Sequence, residues 1–155
     1  MLKLDPTDER QERIDQAVAA WLQERQELLV LLCDIKQPGN AGVPTGTRVQ
    51  AFCQLLMDYV SAGHFEIYDT LLHRAELQGR HATVERARKL YSQLQASTDA
   101  ALRFNDLFDN DEHCEDLHSQ LAGELSDLGL ALADRFTVED HLLKLLREPQ
   151  TVETL

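Results

Sequence analysis

Apolar side chains recur at spacings of three and four along nearly the whole chain. No stretch shows the period of two that a half-buried strand requires. From Thr7 to about Lys36 the repeating positions are Ile14, Val18, Trp21, Leu22, Arg25, Leu28, Leu29, Leu32 and Ile35. Glu12, Gln16, Gln23 and Gln26 fill the other face. Pro6, Thr7 and Asp8 make a helix-start signal, and Trp21 reads as a core anchor. The pattern returns from Thr47 through Val49, Phe52, Cys53, Leu56, Tyr59 and Val60, with Thr45 or Thr47 as its cap. After Gly63 it resumes at Phe65, Ile67, Tyr68, Leu71, Leu72 and Ala75, runs to Leu77, and ends at Gly79.

A third segment, from about Thr83 to Phe108, is weakened but not stopped by "ASTDAA". A last long helix carries Leu117, Leu121, Leu125, Leu128, Leu132, Phe136, Val138, Leu142, Leu143 and Leu146, and Pro149 ends it. These spacings predict an all-α fold: an antiparallel, up-and-down four-helix-type bundle with an extra helix, kinked or broken near Gly63. A length of 155 residues fits a single domain over 1–155, large enough to bury about 70% of its unfolded surface. Gly39, Gly42, Gly46, Pro38 and Pro44 mark 37–47 as a flexible loop, and 149–155 reads as a loose tail.

Charge narrows the range of partners. The 15 Lys and Arg against 27 Asp and Glu give a formal charge of −12. Such a chain repels nucleic acid and anionic membranes and is drawn to basic surfaces. No basic stripe is available to displace counterions, so direct nucleic-acid binding is not expected. The longest apolar run, Leu28 to Cys33, falls far short of the ~20 residues that span a bilayer. The acidic, polar start "MLKLDPTDERQER" has no hydrophobic signal region, which points to a cytoplasmic protein. Cys33, Cys53 and Cys114 are odd in number and far apart, which fits buried free thiols in a reducing compartment.

Catalytic and metal signatures are missing from the pattern. "GVPTGTR" lacks the Gly-Lys-Ser/Thr of a phosphate-binding loop, and there is no G-x-S-x-G or H-E-x-x-H. In "DNDEHCEDLH", Cys114 stands where a calcium loop needs Gly. Cys114 with His118 and His113 makes at most an open zinc site, so a solvated acidic helix start at 109–116 is the expected role. "HSQLAGELSDLG", His118 to Gly129, loosely resembles a phosphotransfer-histidine helix. Its Gly123 falls five residues after the histidine instead of four, about 100° further round. The chain is thus expected to be no enzyme and to need no cofactor or metal. A phosphotransfer-like bundle using His64 or His118 and a helical adaptor for another basic partner stand as the alternatives.

One stretch is unlike the rest. "MDYVSAGHFEIYDTLL", Met57 to Leu72, sets Gly63 and His64 inside a helical pattern, although Gly costs a helix interior roughly 1 kcal/mol. Tyr59, Phe65 and Tyr68 around it are residue types that anchor interfaces as well as cores.

Within it, "DYVSAGHFEIY", Asp58 to Tyr68, resembles the signature of the Rsd/AlgQ family of bacterial anti-sigma regulators. "AWLQERQELLVLLCDI", Ala20 to Ile35, is similar to that family's Trp-Leu helix. "LSDLGLALADRFTVEDHLL", Leu125 to Leu143, resembles its Leu-Ser-x-Leu-Gly, Arg-Phe and Glu-Asp helix. The matches cover most of the chain in order. The resemblance implies a four-helix-type bundle that binds region four, the −35-recognition domain of the primary sigma factor of RNA polymerase, and so favours alternative sigma factors; the free chain is expected to be a monomer. It places Asp58 in the partner-binding surface, and the surrounding motif adds Tyr59, Ser61, His64, Phe65 and Tyr68 as candidate contacts. Region four is a helix-turn-helix domain with a basic DNA-reading face, to which an acidic chain would be steered. On this reading Gly63 lets two helices change direction, and His64 caps or braces the joint.

Overall fold

A computed structural model describes residues 6–36, 45–109 and 118–147. The elements are α1 (Pro6–Lys36), α2 (Thr45–Ala62), a π-helical segment (Gly63–Tyr68), α3 (Asp69–Leu77), α4 (His81–Ser92), α5 (Gln95–Phe108) and α6 (His118–Arg147). They assemble into four helical rods: α1, then α2–π–α3, then α4–α5, then α6. The expected all-α bundle is present, with two rods bent or broken.

Cross-rod contacts fix the direction of each rod. Trp21 meets Tyr59 while Asp34 meets Arg48, so the first two rods run antiparallel. Phe52 meets Phe104, and Tyr68 meets Tyr91, which reverses the third rod against the second. Arg103 pairs with Glu124 and Arg80 reaches the carbonyls of Leu145 and Leu146, which reverses the fourth against the third. Asp15 pairs with Arg147 and Arg25 with Glu139, closing the ring of rods. The topology is up-down-up-down.

The rod built from α2 and α3 does not break at Gly63. Ala62 and Asp69 both hold right-handed helical dihedrals, and the Asp69 N–H donates to the His64 carbonyl five residues back. One wide turn passes the chain through the joint without a change of rod. The expected irregularity near Gly63 takes the form of a π segment between α2 and α3, and Gly63 serves a further purpose. A Cβ on Gly63 would stand 2.9 Å from Cζ2 of Trp21. The missing side chain lets the indole of α1 lie directly on the second rod.

The real interruption in the third segment falls at Gln93 and Leu94, where turn hydrogen bonds join α4 to α5. "ASTDAA" itself is helical. Gly79, at φ 70°, ends the second rod in the left-handed conformation that glycine tolerates best. The helix after the glycine-rich loop begins at Thr45, inside the stretch expected to be loop, and 37–44 lie outside the described residues. The tail 149–155, most of the acidic turn at 109–116, and Cys114 also lie outside them. Cys53 is buried as expected, whereas Cys33 is exposed on α1.

The core is a single cluster drawn from all four rods. It runs from Phe52, Phe104 and Phe108 at one end, through Trp21, Tyr59 and Leu132, to Leu71, Ala75, Val84 and Leu146 at the other. Among the described residues no helix is long and apolar enough to cross a membrane.

Candidate functional site

The motif from Asp58 to Tyr68 divides between inside and outside, because its helix buries one face. Tyr59 and Tyr68 are fully buried, at 0% exposure each. Neither stands on the exposed face where partner contacts were expected: both rings are packed in the core, with Tyr68 also lining a cavity toward the third rod. The Trp21 ring stacks on Tyr59 with centroids 4.9 Å apart and meets Tyr68 edge-on at 5.7 Å. The indole N–H donates to the Tyr59 carbonyl at 3.0 Å, one turn before the π segment.

The two phenols end on one acid. Tyr59 and Tyr68 donate to the two oxygens of Glu139, a carboxylate that is itself 0% exposed. Arg135, one turn back on α6, donates its Nε–H to Glu139 at 3.0 Å, and Arg25 of α1 donates to it at 3.3 Å. Arg135 extends the network to the hydroxyls of Ser97 and Thr98 at 3.0 and 2.9 Å. Arg25 also donates to Tyr59 Oη at 3.0 Å and Asp140 at 2.7 Å, with its guanidinium over the Phe136 ring. All four rods thus meet at Glu139. Burial, reinforced by the negative charge of Glu139, raises both tyrosines above the ordinary phenol range and keeps them protonated. Burial opposes the charge on Arg25, but its hydrogen bonds to Tyr59 and Asp140 and the charge of Glu139 more than offset this. Such a satisfied network fixes the registry of the rods.

The outward half of the motif is different. Asp58, Ser61, Phe65 and Glu66 are all exposed on the outer face of the second rod. Asp58 accepts a hydrogen bond from Gln54 at 3.1 Å, and Phe65 is 68% exposed. His64 is half-buried. Its ring lies edge-on to Phe65, and its Nε2 is 3.4 Å from Tyr91 Oη. Ser61, His64, Phe65 and Tyr68 line a cavity of about 250 Å³ that continues to Tyr91, Gln95 and Thr98 on the third rod. His64 thus lies between the second and third rods, at the wide turn of the π segment.

On its other flank, this face carries like charges. Glu24 of α1 is raised in pKa by burial and by the neighbouring Asp58, Glu66 and Glu27. Its Oε2 is buried without a hydrogen-bond partner. Four carboxylates are gathered where the first two rods meet. Among the described residues no group of His, Cys, Asp or Glu is arranged to hold a metal ion.

A family model described as "Regulator of RNA polymerase sigma(70) subunit, Rsd/AlgQ" matches residues 1–147. The chain belongs to the Rsd/AlgQ family. Curated relatives named "Regulator of sigma D" agree. The protein of Shigella dysenteriae serotype 1 is 34% identical over 155 residues, covering 97% of this chain and 96% of its own length. The proteins of Escherichia coli strain K12 and Shigella boydii serotype 18 match to the same extent. The Rsd/AlgQ motif is thus also an architectural motif in this fold, with Tyr59, Gly63 and Tyr68 building the joint and Asp58, Ser61 and Phe65 left at the surface.

Arg135 and Glu139 were not among the expected site residues, although both lie in the stretch that resembles the family's Arg-Phe and Glu-Asp helix. The available signal was their i,i+4 spacing in a helix otherwise lined with leucine, together with Arg25 on the apolar stripe of α1.

Proposed function

We propose that this chain is an anti-sigma regulator that binds region four of the primary sigma factor of RNA polymerase and thereby favours alternative sigma factors. It acts by occupancy, as a monomer, without chemistry of its own. The observation that carries the reading is the acidic cluster of Glu24, Glu27, Asp58 and Glu66 where the first two rods meet, the second of which also exposes Phe65. A cluster that holds like charges together and leaves a buried carboxylate oxygen unpaired is relieved by a cationic partner. The DNA-reading face of a helix-turn-helix domain supplies such cations on a helix. Phe65 provides the apolar anchor that charge alone lacks, and the adjacent cavity lined by Ser61 and His64 can admit a partner side chain. The names of the family and of its relatives give the sigma(70) subunit and sigma D as what is regulated, which supports a sigma factor as the partner.

Titration calorimetry of the full chain against purified region four, at low and high salt, tests this. The expected result is a one-to-one complex whose affinity falls as salt rises. The absence of a complex with region four and with full-length sigma would overturn the proposal.

A further inference from the structure

The side of the bundle away from the acidic cluster carries the opposite charge. Where α4 packs on α6, Arg86, Lys89 and Leu90 face His141, Lys144 and Leu145 across an open groove of about 470 Å³. Both walls repeat one pattern: two basic or titratable residues three apart, then a leucine. Arg86, Lys89 and Lys144 are exposed, and no carboxylate of the described residues pairs with them. Much of the other basic charge of this acidic chain is committed. Arg25, Arg48, Arg88, Arg103, Arg135 and Arg147 all hold carboxylates.

We propose that this groove is a second docking site, and that it takes an acidic amphipathic helix from a partner protein. Charge complementarity sets the sign of the partner, and the leucines set its shape. Leu90 and Leu145 form a half-buried apolar floor between the cations. A phosphate group placed between the walls would be desolvated against that floor, whereas the apolar stripe of a helix is satisfied by it. Cations on both walls then meet carboxylates on both flanks of that stripe, the arrangement of helix-in-groove recognition. A second copy of the chain fits less well. Its acidic cluster lies on the opposite side of the bundle, so the contact would be head-to-tail and would not close. The groove is also separate from the surface proposed for region four, so both partners can be held at once.

The test uses the full chain and a labelled synthetic helix with leucines on one face and glutamates on either side of them. A helix with lysines in place of the glutamates is the control. Saturable binding of the glutamate helix alone is expected by fluorescence anisotropy. Lys89→Glu with Lys144→Glu should weaken it on the order of tenfold or more, and Leu90→Gln should weaken it too. Helix content and affinity for region four should stay unchanged in both variants. Failure of the glutamate helix to bind, or equal binding by the charge-reversed chain, would overturn the proposal. Displacement by inorganic phosphate at constant ionic strength would reassign the groove to a phosphorylated small molecule. Self-association that disappears on charge reversal would reassign it to a second copy.

Discussion

The indole of Trp21 lies against the Cα of Gly63, so closely that a Cβ there would stand 2.9 Å from its Cζ2 and 3.2 Å from its Nε1. The same indole is held in place by its hydrogen bond to the Tyr59 carbonyl and its stack on the Tyr59 ring. It is a clamped ring and cannot swing aside as the end of a flexible side chain would.

Gly63→Ala therefore sets two terms against each other. Removing glycine from a helix interior gains about 1 kcal/mol. Forcing a methyl group against a locked indole costs about 1–3 kcal/mol. Net destabilisation of up to about 2 kcal/mol is expected, read as a lower urea midpoint with an unchanged slope. A more stable variant would show that the close approach is not a constraint.

Glu139 presents a larger effect. Glu139→Ala removes the acceptor of two buried phenols and leaves Arg135, 3% exposed, without its carboxylate. Breaking a buried pair from one side costs about 3–5 kcal/mol, so loss of cooperative thermal unfolding or a large fall in Tm is expected. Replacing Arg135 as well should cost less than the sum of the two single changes, because the stranded charge goes with it. Strict additivity in that double-mutant cycle would show that the two residues act independently.

The helices were legible because the apolar period of α1, α2 and α6 is long and regular. The joint at Gly63 was legible as an anomaly but not as a π segment. A glycine in a helical pattern signals a break and a close approach equally, and the indole that decides between them is 42 positions away on α1. The interruption at Gln93 and Leu94 carries no Gly or Pro. The Glu139 network joins Arg25 to an acid 114 positions away, and although Arg25 falls on the apolar stripe of α1, periodicity does not show which group it meets. Tyr59 and Tyr68 are ambiguous in the sequence because tyrosine anchors interfaces and cores alike. Only the position of Glu139 shows that their hydroxyls are satisfied inside.

That division makes a sharp test of the proposed surface. Asp58→Ala and Phe65→Ala should weaken binding of region four while leaving Tm within about 0.5 kcal/mol of equivalent stability, since both residues are exposed. Phe65→Ala is expected to cost about 2 kcal/mol or more if it anchors the interface. Tyr59→Phe should do the reverse. It removes a hydroxyl bonded to Glu139 and Arg25, costs about 1–2 kcal/mol of stability, and leaves affinity intact. Calorimetry and thermal melts on the same preparations check both. If Tyr59→Phe weakens binding without loss of stability, the buried half of the motif has been misassigned.

Glu24 gives opposite signs for folding and for binding. Burial and the neighbouring Asp58, Glu66 and Glu27 raise its pKa in the folded chain above the ordinary 4.5. The folded state then holds its proton more tightly than the unfolded state, so stability falls as pH rises from about 4.5 through the folded value. The penalty is present above that window. Glu24→Gln should therefore stabilise the free chain at pH 7 by a few tenths of a kcal/mol, and the gain should vanish below about pH 4.5. A cationic partner pulls the same pKa back down, so the complex binds fewer protons than its free components. Affinity for region four should rise with pH across that window, and calorimetry in buffers of different ionisation enthalpy should detect the released proton. Glu24→Gln should flatten that dependence and weaken the complex even as it stabilises the chain. A variant that loses stability at neutral pH would show that Glu24 is supported by its surroundings, and the strained acidic cluster would no longer account for partner choice.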